Sequence, residues 1–450
     1  MNGSRTLALA LVAALAVPGT ALAQNDYPPA GKPGKGQKKR SDKAQLFRVC
    51  KKGCDFKTIS AAVKKAGGED TIRVGNGTYR EGVTIAGRRY DGLTVRGNSK
   101  APGKVKLEAK GLKGADAQNG FFVNGADDVT INGFTARNYK ANGFFVVNVD
   151  GYTLTNLVAA KAGVYGLYAF NSKGGTMSNS EAFHSNDAGF YIGQTPKQTR
   201  PKRSIVSNVK AYENVLGFSG TNMRYVTIKN SDWFNNGAGI VPNALSSEKF
   251  PPPEENVITG NRVFWNNFNY YRGAPFRIPD SGPAGLPGYP LGVGILLFGS
   301  QKTVVEKNQV FGNWLTGIGA IQQIILAGEK DPKLQEASVL RKNTVRNNKL
   351  GLGGKDLNGR DLFYDGSGTQ NCFANNQTFS PNLPADNNTF KPCPGPAKNT
   401  TDSKARGEAL NWVISASKDD PPSFEKFWLR HPHVAQKGIK PIERYKGKSG

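Results

Sequence analysis

The chain has 450 residues, with 60 Lys or Arg against 34 Asp or Glu, a formal charge of +26 at neutral pH. An excess of this size excludes a charge-balanced surface and favours anionic surroundings such as acidic polysaccharide, teichoic-type polymer or lipid head groups. Hydrophobic residues make up 38% of the chain, enough for an extended core, and no segment after the first residues is a transmembrane candidate.

At the N-terminus, Arg5, an apolar run from Leu7 to Val17 and Ala21-Leu22-Ala23 before Gln24 read as a secretory signal, residues 1–23. Its removal takes one arginine and no acid, leaving 59 basic against 34 acidic residues, or +25. The expectation is a protein secreted or held in the cell envelope, for which nucleic acid is the least natural anionic partner. Gln24–Gln45 carries six basic residues among Pro and Gly and reads as a disordered linker. Four cysteines fit an oxidising compartment. Cys50 with Cys54, and Cys372 with Cys393, would each close a local loop at one end of the repeats, whereas a four-cysteine metal site would need the two ends to meet.

Phe56, Ile59, Ala62, Val63 and Ala66 have the spacing of one helix face, stopped by Gly67-Gly68. A short helix here would cap the open end of a repeat stack, which otherwise exposes unpaired backbone and bare core. Thr71–Ile85, Leu93–Val95 and Val105–Leu107 read as the first, irregular coils.

From residue 120 a glycine followed by a bulky apolar residue recurs, mostly every 22 or 23 residues: Gly120, Gly143, Gly166, Gly189, Gly217, Gly239, Gly294, Gly317 and Gly351. Each copy continues with a second alternating run, such as Val129-Thr130-Ile131, an asparagine (Asn156, Asn179, Asn208, Asn230, Asn261, Asn308, Asn343), and a third apolar stretch with its own asparagine-rich turn. Three period-2 runs bounded by Gly or Asn predict three strands and three turns, with no helix-length segment. The expected fold is all-β, a parallel β-helix with three-strand coils over residues 46–395 and a tail at 396–450 holding a helix near Ala409–Ser417. Asn tolerates the left-handed turn conformation and can bond to its equivalent one coil away, so the asparagines read as structural.

Three insertions, Thr195–Arg203, Asn243–Glu255 and Ile324–Ala337, fall between first and second strands and should rise along one edge; a fourth, Phe268–Val293, lies between coils as a lid or surface loop. With Phe121, Phe144, Leu167 and Phe190 inward, alternation points Phe122, Phe145, Tyr168 and Tyr191 outward as a ledge on successive coils. Such a ledge serves either as a platform for sugar rings or as a surface covered by the tail or a loop, Ala409–Trp428 being one cover. Lys197, Arg200, Lys202 and Arg203 on the first insertion, with Arg224 after the next coil's first strand, suit a uronate chain, since arginine holds carboxylates with paired hydrogen bonds.

Lyase or epimerase chemistry needs the uronate carboxylate neutralised and a base at the C5 proton. Tyr191 beside Arg224 is the local pair for that work. His184 next to Asp187 reads as a turn histidine, Asp127-Asp128 as turn acids, and Asp361 with Asp365 either as turn residues or as part of a calcium site.

The helix-then-strand opening at Phe56–Ile85, including Gly77-Thr78-Tyr79-Arg80-Glu81, the glycine-led coils and the asparagine columns resemble the pectin-lyase-like superfamily of secreted right-handed parallel β-helices. The resemblance covers roughly residues 46–395 and implies the fold. It extends over lyases, hydrolases, esterases, epimerases and non-catalytic members. No Leu-Gly-Arg-Pro-Trp-like, Asp-Pro-His-Asp or His-Gly element follows, so no catalytic residue carries over. Two functions remain: a monomeric module that binds, and as a lyase or uronan C5-epimerase modifies, an acidic polysaccharide, or a non-catalytic envelope or adhesion protein that meets another anionic envelope polymer.

Overall fold

The structure, a computed structural model, describes residues 43–270, 291–385, 388–417 and 433–442. The signal at 1–23, nearly all of the linker at 24–45, most of the insertion Phe268–Val293 and residues 418–432 of the tail lie outside them. The described chain is an all-β parallel solenoid with three parallel sheets, one for each strand of the coil, and a few short helices. It divides into two contact units, residues up to Asn214 with Arg224–Asp232, and Val215–Met223 with the residues from Trp233 onward.

In the first unit, first strands Val83–Ala86, Asn119–Asn124, Asn142–Val147, Leu167–Phe170 and Ala188–Gly193 pair in parallel, coil upon coil. Inward residues fill the solenoid: Phe121, Phe144, Leu167 and Phe190 are at most 1% exposed. Second strands run from Leu46–Val49 through Thr71–Val74, Thr94–Arg96 and Val129–Asn132 to Val226–Lys229. The predicted helix is Ile59–Lys65, with Thr58 accepting from the Ala61 amide as N-cap. Its first amides, Ile59 N and Ser60 N, donate to the Glu81 carboxylate, which anchors it to the coil below. Phe56 is not on this helix; it bridges Val49 as an extended residue.

The second unit repeats the plan with first strands Leu216–Thr221, Ala238–Asn243, Val293–Phe298, Thr316–Ile321 and Leu362–Tyr364. Gly351 does not lead the last of these. It follows the third strand Lys349–Leu350 at φ 96°, and the pairing of Ile318 with Leu362 puts Asp361 at the glycine position. The insertion Ile324–Ala337 folds as two short helices, Ile324–Ala327 and Pro332–Ala337. Leu326 and Ala337 pack on Ala244 of the insertion Asn243–Glu255, so these two insertions do stand side by side. The tail helix is Ser403–Ser417, longer than expected at its start because Asp402 caps it through the Ala405 amide. Cys50–Cys54 and Cys372–Cys393 are both disulfide-bonded.

The asparagines form two kinds of column rather than one. Asn156, Asn179, Asn208 and Asn230 sit at φ 49–53° in the left-handed turn itself. In later coils Gly260, Lys307 and Asn347 take that conformation, and Asn261, Asn308 and Asn348, one residue further on, point inward; Asn343 is not in this column but precedes the second strand Thr344–Arg346 and donates to Asn371 Oδ1. Within the column Asn261 Nδ2 donates to Asn308 Oδ1 at 3.0 Å, and Asn308 Nδ2 to Asn348 Oδ1 at 3.0 Å. The same Oδ1 atoms accept the preceding coil's main-chain amide, satisfying a buried donor at every turn.

Candidate functional site

The outward residues of the first unit's first strands are in register as expected: Phe122, Phe145, Tyr168 and Tyr191 occupy one column. Their ring centroids are 5.2, 4.5 and 4.9 Å apart in sequence. Two features differ from an open platform. Phe145 and Tyr168 stack at 8° to one another, so their faces are turned to each other rather than to solvent. Phe145, Tyr168 and Tyr191 are also only 1–2% exposed, and Phe122 alone is half-buried. Tyr165 packs across the column, 4.5 Å from Tyr168 and 4.6 Å from Tyr191.

Tyr165 stands one residue before Gly166, where the preceding coils carry Asn119 and Asn142. Its main-chain amide donates to Asn142 Oδ1, continuing the ladder, while its ring replaces the amide side chain and reaches over the tyrosines. Beneath it is the acid that spacing alone does not single out. Two residues before their glycines, Ala141, Val164 and Val215 are apolar, but the same offset in the fourth copy is Asp187. Only the first copy, with Gln118, is otherwise polar at this offset, and a lone carboxylate there is the sequence signal for this group.

Asp187 is 2% exposed. Burial pushes its carboxyl from the ordinary 3.8 up to about 7, against the opposing effect of a hydrogen bond with Tyr165. Its Oδ1, like Ser185 Oγ and Asn186 Oδ1 beside it, has no hydrogen-bond partner among the described residues. The arrangement is a proton acceptor near neutrality in an aromatic wall, the type of environment that tunes acids and bases in reaction centres.

The other sequence candidates divide. Lys197, Arg200 and Arg203 are exposed on the first insertion, and Lys202 is tied down through Nζ to Asp150 Oδ1 at 2.8 Å. Arg224 is 1% exposed, so it is not part of an open cationic surface, and Tyr191 packs against Tyr168 and Tyr165. His184 Nε2 lies 2.5 Å from Glu213 Oε2 on the next turn. Asp127 bridges turns, accepting from Asp150 N and donating its own amide to Asp91.

Asp361 is fully enclosed and receives the amides of Phe379 and Ser380 on Oδ2 and the Asn358 side chain on Oδ1. Asp365 receives Ser367 and Gln322 amides. Both carboxylates thus serve the backbone, which favours their turn reading over calcium; no His, Cys, Asp and Glu cluster among the described residues could hold a metal.

Residues 119–276 match the family described as right handed beta helix region. No curated protein matches the sequence. Among solved structures the chain is similar to the A-module of mannuronan C-5 epimerase AlgE4 from Azotobacter vinelandii, at 15% identity over 71% of this chain and 90% of that one, with a TM-score of 0.47. It is also similar to pectate lyase Pel9A, at 15% identity over 75% and 78% with a TM-score of 0.39. The enzymatically active domain of bacteriophage CBA120 tailspike protein 2 is similar at 10% identity over 70% and 44%, TM-score 0.44. The stacked parallel coils and the family match together give the chain a right-handed parallel β-helix fold.

Proposed function

We propose that this chain is an extracytoplasmic protein that binds an acidic polysaccharide and moves a proton at its uronate, with Asp187 as the acid–base group. The observation that carries the reading is the enclosed Asp187 carboxyl, held near 7 with one oxygen unpartnered beside Tyr165. In its ionised form Asp187 takes the C5 proton, and the electron pair passes into the uronate carboxylate. From there either the C4–O bond breaks and the glycosidic oxygen leaves with a proton from a tyrosine hydroxyl, or that hydroxyl returns a proton to C5 on the opposite face. Exposed Lys197, Arg200 and Arg203 are the cations for the polymer's carboxylates. At 2% exposure Asp187 meets substrate only after a rearrangement of the residues around it. The two disulfides support the extracytoplasmic setting.

The second reading, a non-catalytic envelope protein, is favoured by that same enclosure of Asp187 and of the inner ledge rings. The two are separated by incubating the protein with polygalacturonate and alginate, with and without calcium. Unsaturated products are followed by absorbance and C5 inversion by proton NMR. Turnover that Asp187→Asn abolishes supports proton transfer. Binding without turnover on every polymer refutes it and leaves the envelope reading.

A further inference from the structure

The second-strand sheet of the first unit begins with three coils whose outward positions coincide in an unusual way. Arg48 pairs with Arg73, and Arg73 with Arg96, in direct parallel register. All three side chains are exposed, and none makes an ion pair among the described residues. Adjacent parallel strands are about 4.8 Å apart, so three guanidinium groups stand on a ladder with that repeat. Like charges directly opposite one another destabilise a sheet. Elsewhere the same sheet avoids the clash: the position next to Arg96 is Asn132, followed by Thr155.

Two neighbouring carboxylates bond to the main chain. Asp70, which is buried, receives the amides of Gln45 and Gly67. Asp55 receives the Arg48 main-chain amide. A parallel column of half-buried threonines, Thr71 and Thr94, runs beside the arginines two residues away and offers hydroxyls along the same track. Guanidinium groups with carboxylate-matched donor geometry and flanking hydroxyls, repeated once per coil, fit a chain of regularly spaced carboxylates and hydroxyls.

We infer that Arg48, Arg73 and Arg96 form a second polysaccharide-binding track, on the second-strand sheet and separate from the Asp187 face, that holds a carboxylated polysaccharide along the solenoid axis. The track rests on the acidic-polysaccharide reading only for its ligand class. It gives the protein a means of staying on the polymer that does not depend on the tyrosine-covered site.

The test is binding of polygalacturonate to the full chain by isothermal titration at low and moderate salt, comparing wild type with Arg73→Gln/Arg96→Gln and with Lys197→Gln/Arg200→Gln. Circular dichroism and the melting temperature check that each variant is folded. The expected result is at least a tenfold loss of affinity and a shallower salt dependence in the Arg73/Arg96 variant, with dextran bound by neither protein. Affinity within twofold of wild type in that variant overturns the track, whatever the other variant does. Equal loss toward duplex DNA or polyphosphate, with polygalacturonate unaffected, overturns the ligand class. Tight polygalacturonate binding with no turnover of either polygalacturonate or alginate refutes the Asp187 chemistry and leaves the track standing.

Discussion

Replacing Asp187 by Asn tests the buried acid through stability, independently of any substrate. The Asp187 carboxyl moves from 3.8 to about 7 on folding, chiefly through burial. The folded state therefore binds the proton more tightly than the unfolded chain. That contribution is fully present below about pH 4 and is lost as pH rises toward 7, because folding must then either retain a proton or bury a charge. At about 1.4 kcal/mol per tenfold in proton affinity, the whole window is worth at most about 4 kcal/mol. Asn is nearly isosteric and keeps an oxygen for Tyr165, but does not titrate. Urea unfolding at intervals from pH 4 to pH 8.5 should show the variant gaining about 2–4 kcal/mol on wild type across that range and nothing further above it. Asp361, pushed up to about 6 mainly by burial, adds a slope of the same sign, but it is common to both proteins and cancels in the difference. Parallel stability curves for wild type and Asp187→Asn would refute the claim that burial holds this group near neutrality.

The inner asparagine ladder should be similarly exacting. Asn308→Leu removes the acceptor of the buried Asn261 main-chain amide and one of the two acceptors of Asn261 Nδ2, which keeps Thr259 O, so urea unfolding should show a loss of about 2–3 kcal/mol. Gly166→Ala would place a Cβ 2.4 Å from the Gly189 carbonyl oxygen and 2.8 Å from Ala182 Cβ; a loss of about 3 kcal/mol is expected, and an unchanged melting temperature would show that the coils can spread. Opening Cys372–Cys393, which spans 21 residues, with a paired serine substitution should cost about 3 kcal/mol against about 2 for the shorter Cys50–Cys54 loop, read by denaturation of each double variant.

Much of the architecture was legible because the repeat is a local pattern. The glycines at 120, 143 and 166 recur because each backbone lies against the next coil's carbonyl, a constraint that each copy records. The existence of the capping helix and the two disulfides were equally readable, since a helix face and short loops depend on nearby residues, although the helix begins at Ile59 and leaves Phe56 outside. Legibility failed where one residue changes the column. Asn230 and Asn261 look equivalent by offset, yet one makes the turn and the other fills the core, because Gly260 takes over the left-handed position. Gly351 misled for the same reason, with Asp361 leading its coil instead.

The sequence by itself determined the coil, its three strands, and which side chains share an outward column, because alternation and period are properties of consecutive residues. The tertiary structure decided what those columns expose. Ring orientation and cover come from contacts between coils, so only packing turned the tyrosine ledge edge-on and laid Tyr165 across it. Packing likewise withdrew Arg224 from solvent and set Asp187 in an apolar wall where desolvation raises its proton affinity. The arginine track also needed the fold, because Arg48, Arg73 and Arg96 lie at unequal distances along the chain and become neighbours only when parallel pairing fixes their register.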